Sequence, residues 1–136
     1  MDRLLADTGF LIAAGRYGDP LHDNAKSFLE GYSGRLVTVS AVIVETCFFF
    51  TSAGKVTLLD WVHSGGLGVV EVPVSAYPRL STIIKKYADH EIDFTDAALI
   101  WLAEESGFRD ILTVDQRDFS VFRLKGGKRF QLIDWW

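Results

Sequence analysis

Apolar residues fall into short runs separated by Gly, Pro and polar positions, and the runs alternate between two periods. Leu4, Leu5 and Ala6, closed by Asp7, predict a short inner strand. From Pro20 the spacing of Leu21, Ala25, Phe28 and Leu29 is helical, and Gly31 and Gly34 punctuate its end. Residues 36–39 predict a second strand, and Ser40 a natural N-cap for a helix running through Val44 and Phe48. A further helix is expected over residues 56–63, stopping at Ser64, Gly65 and Gly66. The β-branched residues 69–74 predict the third strand, and residues 75–87 another helix. Thr95 is a candidate cap for the next helix, in which Ala98, Leu99, Leu102 and Ala103 form a core-facing stripe and Gly107 the stop. Residues 111–114 predict the fourth strand and residues 130–133 a short fifth.

Strands and helices thus alternate from end to end, which predicts an α/β fold: a mostly parallel sheet of about five strands with helices on both faces. Strands covered on both sides are apolar throughout, as these are. No repeat, low-complexity tract or Pro/Ser-rich linker interrupts the pattern, so residues 1–136 read as a single domain. At 136 residues and 49% hydrophobic content, the chain can bury a core without staples.

Charge adds a complication. The formal net charge is −4, whereas a nucleic-acid binder is usually basic. The charges are unevenly placed: Arg109, Arg117, Arg123, Lys125, Lys128 and Arg129 crowd one stretch against Asp110, Asp115 and Asp118. Such a stretch reads either as a basic rim beside an acidic pocket or as a solvated polar surface. Cys47 is the lone cysteine, which excludes an internal disulfide and suits a reducing cytoplasm. No apolar run is long enough to span a membrane, and the opening residues are too acidic for a signal peptide.

The chemistry lies in acids at element ends. Asp7 closes the first strand and Asp115 the fourth; Glu45 lies in the helix after the second strand, and Asp96 in the first turn of the helix before the fourth. In an open α/β sheet all four project to the edge where ligands bind. Singly, each has a plain reading as a turn, a cap or a charge near a helix start. Together they raise one another's pKa by repulsion, a cost that Mg²⁺ or Mn²⁺, one or two ions, offsets while supplying reactive water. Asp93 and Asp118 are possible auxiliary ligands or caps. Thr8 and Thr113 are possible orienting hydroxyls or local caps.

The segments holding these acids resemble the PIN-domain ribonucleases, and especially the VapC toxins of toxin–antitoxin pairs. Leu5-Ala6-Asp7-Thr8-Gly9 is similar to the family's opening strand and first acid, and the segment from Asp19 to Ala25 to its second-helix approach. The segment from Val39 to Glu45 is similar to its glutamate helix. Asp93-Phe94-Thr95-Asp96-Ala97 and the segment from Leu112 to Phe119 resemble its last two acidic motifs. The resemblance implies a three-layer α/β/α sandwich and makes Asp7, Glu45, Asp96 and Asp115 the catalytic metal ligands. It also implies hydrolysis of RNA leaving 5′-phosphate and 3′-hydroxyl ends, a cognate antitoxin and a homodimer. Arg117, Arg123, Lys125, Lys128 and Arg129 are then candidate RNA contacts.

Two other classes compete. A PIN-like module that binds RNA or protein without cutting does not need all four carboxylates. A phosphatase of the haloacid-dehalogenase kind needs a second Asp two residues after the first, where Gly9 stands. His22, His63 and His90 are too scattered for a zinc site, and no Walker or dinucleotide motif is present. Trp135 and Trp136 read as core cover or as a partner surface, and the loop of Lys125, Gly126, Gly127, Lys128 and Arg129 as a solvated turn or a phosphate-approaching loop.

Overall fold

A computed structural model describes residues 2–136. Five strands, β1 (Arg3–Ala6), β2 (Arg35–Val39), β3 (Gly68–Val70), β4 (Asp110–Leu112) and β5 (Gln131–Leu132), form one parallel sheet in the order β3-β2-β1-β4-β5. Helices α1 (Thr8–Gly15) and α2 (His22–Gly31) connect β1 to β2, and α3 (Ser40–Cys47) and α4 (Ser52–His63) connect β2 to β3. Helices α5 (Tyr77–Lys86) and α6 (Phe94–Ser106) cross back to β4, and α7 (Gln116–Val121) leads to β5. Right-handed crossovers put α1–α4 on one face and α5–α7 on the other, since the chain reverses direction across the sheet after β3. The packing agrees: α1 lies on α2 and α3, and α5 on α6. The α/β sandwich expected from the sequence is the fold observed.

β1 is the keystone of the sheet. Leu4 and Leu5 register with Leu36 and Val37 on one side, and Leu5 and Ala6 with Ile111 and Leu112 on the other; Leu4, Leu5 and Ala6 have no exposed surface. α6 is the other inner element. Its residues from Ala97 to Ala103 are all buried, so this helix is apolar nearly all round and packs against β2. Gly107, in the left-handed region at φ 77°, ends α6 as the sequence suggests.

Differences from the sequence reading have physical causes. α1 was not expected: its residues Gly9–Ala14 are apolar on every side, so they show no helical period. The strands are shorter than their apolar runs, because Val72 lies beyond β3 and Thr113 beyond β4 while both remain buried. Ser40 is not a cap but the first residue of α3, and its hydroxyl donates to Glu71. Thr95 is not the cap of α6 either. Asp93 accepts the Asp96 N–H at 2.8 Å, because the carboxylate one step before the first turn reaches that orphan donor. Trp135 does cover the core, edge-on to Phe10 at 4.9 Å, whereas Trp136 is half-exposed. The turn of Gly126 and Gly127 has both residues at positive φ.

One close approach sets α1 against the loop after β4: a Cβ on Gly9 would collide with the Val114 side chain. Helix propensity alone would make Gly9→Ala stabilising by about 1 kcal/mol. Overpacking should win, so the variant is expected to lose about 1–3 kcal/mol in denaturant unfolding. A gain in stability would show that Val114 yields freely.

Candidate active site

The strand order switches between β1 and β4, which run parallel, so the crevice beyond their carboxyl ends is where such a sheet offers a site. Asp7 sits there as the N-cap of α1. Its Oδ1 accepts the Thr8 N–H at 2.7 Å and its Oδ2 accepts the Thr113 hydroxyl at 2.8 Å. The Thr113 Oγ1 in turn accepts the Asp115 N–H at 3.0 Å, and the Thr113 carbonyl accepts the Trp135 indole N–H at 3.2 Å. Asp7 is only 8% exposed. Burial is the main force pushing its carboxyl up to about 6, helped by Glu45 and Asp115 and opposed by the two donors.

The other acids face it. Asp96, in the first turn of α6, is pushed up to about 8, chiefly by burial and then by Asp93 and Asp7. Asp115 is raised by burial, with Asp118 and Asp93 adding repulsion. Glu45 presents its Oε2 to the Thr95 hydroxyl at 2.8 Å, which ties α3 to α6 across the crevice. The spacing Asp-x-x-Asp occurs twice: Asp93 accepts the Asp96 N–H, and Asp115 accepts the Asp118 N–H at 3.2 Å. In both pairs the two carboxyls also stand close enough for the first acid, Asp93, to push Asp96 up and for Asp118 to push Asp115 up. The sequence shows this repeated spacing; it does not show that Thr95 holds Glu45 or that Trp135 supports Thr113.

The structure therefore brings Asp7, Glu45, Asp96 and Asp115 to one edge, with Asp93, Asp118 and Thr113 among them. No Lys or Arg neutralises them: the ion pairs among the described residues are Arg79–Glu104 and His90–Asp118. Nor do any three His, Cys, Asp or Glu among the described residues form a ready-made metal shell. The arrangement fits a hard cation held by one or two carboxylates that keeps much of its water, as Mg²⁺ does. Thr8 supports that fit, because its Oγ1 is buried beside Asp7 without a hydrogen-bond partner in the protein.

Of the two readings of the basic stretch, a rim beside the acids or a solvated polar surface, the placement of most of these residues fits the second. Lys125, Lys128 and Arg129 precede β5, and Asp110 pairs with Gln131, so they lie at the sheet edge opposite the crevice. Lys125 donates its N–H to Glu104 near the end of α6, and Arg129 accepts from Arg109 before β4. Arg123 is occupied in bonding the carbonyls of Ser120, Val121 and Phe122. Of the five candidate RNA contacts, Arg117 alone stands at the acid-bearing edge, exposed in the first turn of α7.

With fold and site in view, similarity to known proteins can be placed. A sequence model of the PIN domain matches residues 4–124. The chain belongs to the PIN domain family. Ribonuclease VapC26 of Mycobacterium tuberculosis (strain ATCC 25618 / H37Rv) is 27% identical over 134 residues, covering 96% of this chain and 99% of that protein. The crystal structure of VapC20 from M. tuberculosis, described as a sarcin-ricin loop cleaving toxin, superposes with a TM-score of 0.77. It is 20% identical, over 84% of this chain and 91% of that one. A chain of a toxin–antitoxin complex from Klebsiella pneumoniae gives 0.65 at 17% identity, over 96% and 99%. These PIN-fold neighbours share the sandwich.

The raised carboxyls have a signed consequence for stability. Asp96 and Asp7 keep protons in the folded state at pH values where the unfolded chain, near 3.8, has released them. Stability of the metal-free protein should therefore fall as pH rises from about 4, through 6 for Asp7 and 8 for Asp96. Thermal unfolding in chelator is expected to show this slope, and Asp96→Asn to flatten it between pH 6 and 8. An unchanged slope in Asp96→Asn would mean that Asp96 carries no excess proton.

Proposed function

We propose that this PIN domain is a metal-dependent endoribonuclease, the toxin of a toxin–antitoxin pair. The observation that carries the reading is the unneutralised carboxylate cluster at the β1/β4 crevice, on a fold and a sequence similar to VapC ribonucleases. Asp7, Glu45, Asp96 and Asp115 would hold Mg²⁺ or Mn²⁺, with Asp93 and Asp118 assisting. When bound, such an ion neutralises phosphate charge and makes water more acidic. The chain's own residues do the rest. Thr8 and Thr113 fix both oxygens of Asp7, so the carboxylate needs no reorganisation when charge develops nearby. Burial beside Asp93 and Asp7 holds the Asp96 carboxyl raised, so the cluster would gain from a cation settling among its members. Arg117, beside the pocket, would take a backbone phosphate of the RNA.

The similarity to a chain of a toxin–antitoxin complex supports a cognate antitoxin as partner. An apolar hollow of about 350 Å³ between α1 and α4, lined in part by Leu11, Tyr17, Leu58 and Trp61, is a surface that an antitoxin segment could cover. We also propose a homodimer and a cytoplasmic site of action, where RNA is at hand. No helix among the described residues is long and apolar enough to cross a membrane.

The test is cleavage of end-labelled total RNA with Mg²⁺, with Mn²⁺ and with chelator. Metal-dependent cutting is expected, lost in Asp7→Asn and Asp96→Asn. Thr113→Val should keep the fold but cut about 10–100 times more slowly, because it supports a ligand rather than being one. Full activity in folded Asp7→Asn would sink the proposal.

A further inference from the structure

A second groove is lined by chain neighbours of the acids and plays no part in the mechanism above. About 380 Å³ in volume, it runs from Gly9 and Val114 along α1 to the loop before α2 and the turn after α3. Its walls are Ile12, Leu21, Phe49 and Val114, and its charged groups are Arg16 and Asp19. It is continuous with the site by chain connection at two points. Gly9 lies two residues after Asp7, and Val114 lies between Thr113, which holds Asp7, and Asp115.

Three features choose its occupant. Phe49 is 50% exposed on a turn, with no burial against the core to explain it. Arg16, exposed where α1 ends, makes no ion pair among the described residues. Asp19 Oδ1 accepts the Leu21 N–H, and its other oxygen has no protein partner among the described residues. An apolar peptide segment would use the walls and leave both charges idle. An unpaired nucleotide uses all three: a ring face for Phe49, a phosphate for Arg16 and base-edge donors for Asp19. The volume lies within the range of about 300–1,000 Å³ found for small-ligand clefts.

We infer that this groove is a base-binding subsite, seating one unpaired nucleotide of the RNA strand next to the scissile phosphate, with its base on Phe49 and its phosphate on Arg16. The inference rests on the ribonuclease reading.

The experiment uses the full chain carrying Asp7→Asn, in Mg²⁺, and measures fluorescence anisotropy of a 5′-labelled, random-sequence, 12-nucleotide single-stranded RNA. Adding Phe49→Ala should weaken binding about tenfold, Phe49→Trp should restore it, and Phe48→Ala, on a more exposed neighbour outside the groove, should change nothing. Arg16→Ala should lower the slope of log affinity against log salt by about 0.7, the signature of one lost phosphate contact rather than of a loosened fold. Parent-like affinity and slope in both Phe49→Ala and Arg16→Ala would overturn the subsite and leave the groove to a protein partner. If Arg117→Ala alone weakened binding, the ribonuclease reading would stand and only the subsite would fall. If the Asp7→Asn parent bound no RNA, both would fall.

Discussion

A carboxylate taken out of water at the end of the central strand is the constraint around which this molecule is arranged. Asp7 follows three residues with no exposed surface, so its position is set by the best-packed part of the sheet. Its two oxygens are each held by a donor from a different element, the Thr8 amide of α1 and the Thr113 hydroxyl after β4. Those donors do not fully offset the loss of water, and the carboxyl stays raised. Trp135 extends the support outward, because its indole bonds the Thr113 carbonyl while its ring meets Phe10 on α1. The chain's last residues thus stabilise the setting of one of its first side chains.

The repulsion around Asp7 is built in rather than incidental. Asp93 with Asp96, and Asp115 with Asp118, each place a second acid one helical turn from a capping acid. Each helix start stabilises its own pair through the capped amides, which makes local sense of a combination that is unfavourable across the crevice. Mutually repelling carboxylates at cap positions leave an electrostatic strain that the divalent cation proposed above would offset. That strain links the apo protein's pH behaviour to the chemistry proposed for it.

Much of this was legible in the chain. The alternation of apolar runs carried the α/β architecture, and the acids stood out because each followed a strand or opened a helix. What escaped had reasons. α1 was hidden because a helix that is apolar on every side has no polar stripe to give it a period. Ser40 and Thr95 looked like caps by residue type, but whether a hydroxyl caps or donates elsewhere depends on partners distant in sequence, Glu71 and Glu45. The basic stretch was the hardest to place from sequence. Residues 109–129 are continuous in sequence, yet they climb β4 to the acid-bearing edge and return along α7 to the opposite one. Crossing the sheet twice separates charges that the sequence sets side by side, and Arg117 alone stays with the acids.

Asp7, Asp93 and Asp115 are N-caps of α1, α6 and α7 as well as members of the acid cluster. Asn caps a helix about as well as Asp, whereas Ala forfeits about 1 kcal/mol at such a position. Chemistry and fold are therefore separable by one kind of substitution and entangled in the other. Lineages under selection to silence this chain while keeping it as a binding partner would drift toward asparagine at these three sites, and a related sequence carrying asparagines there would still be expected to wear the same fold.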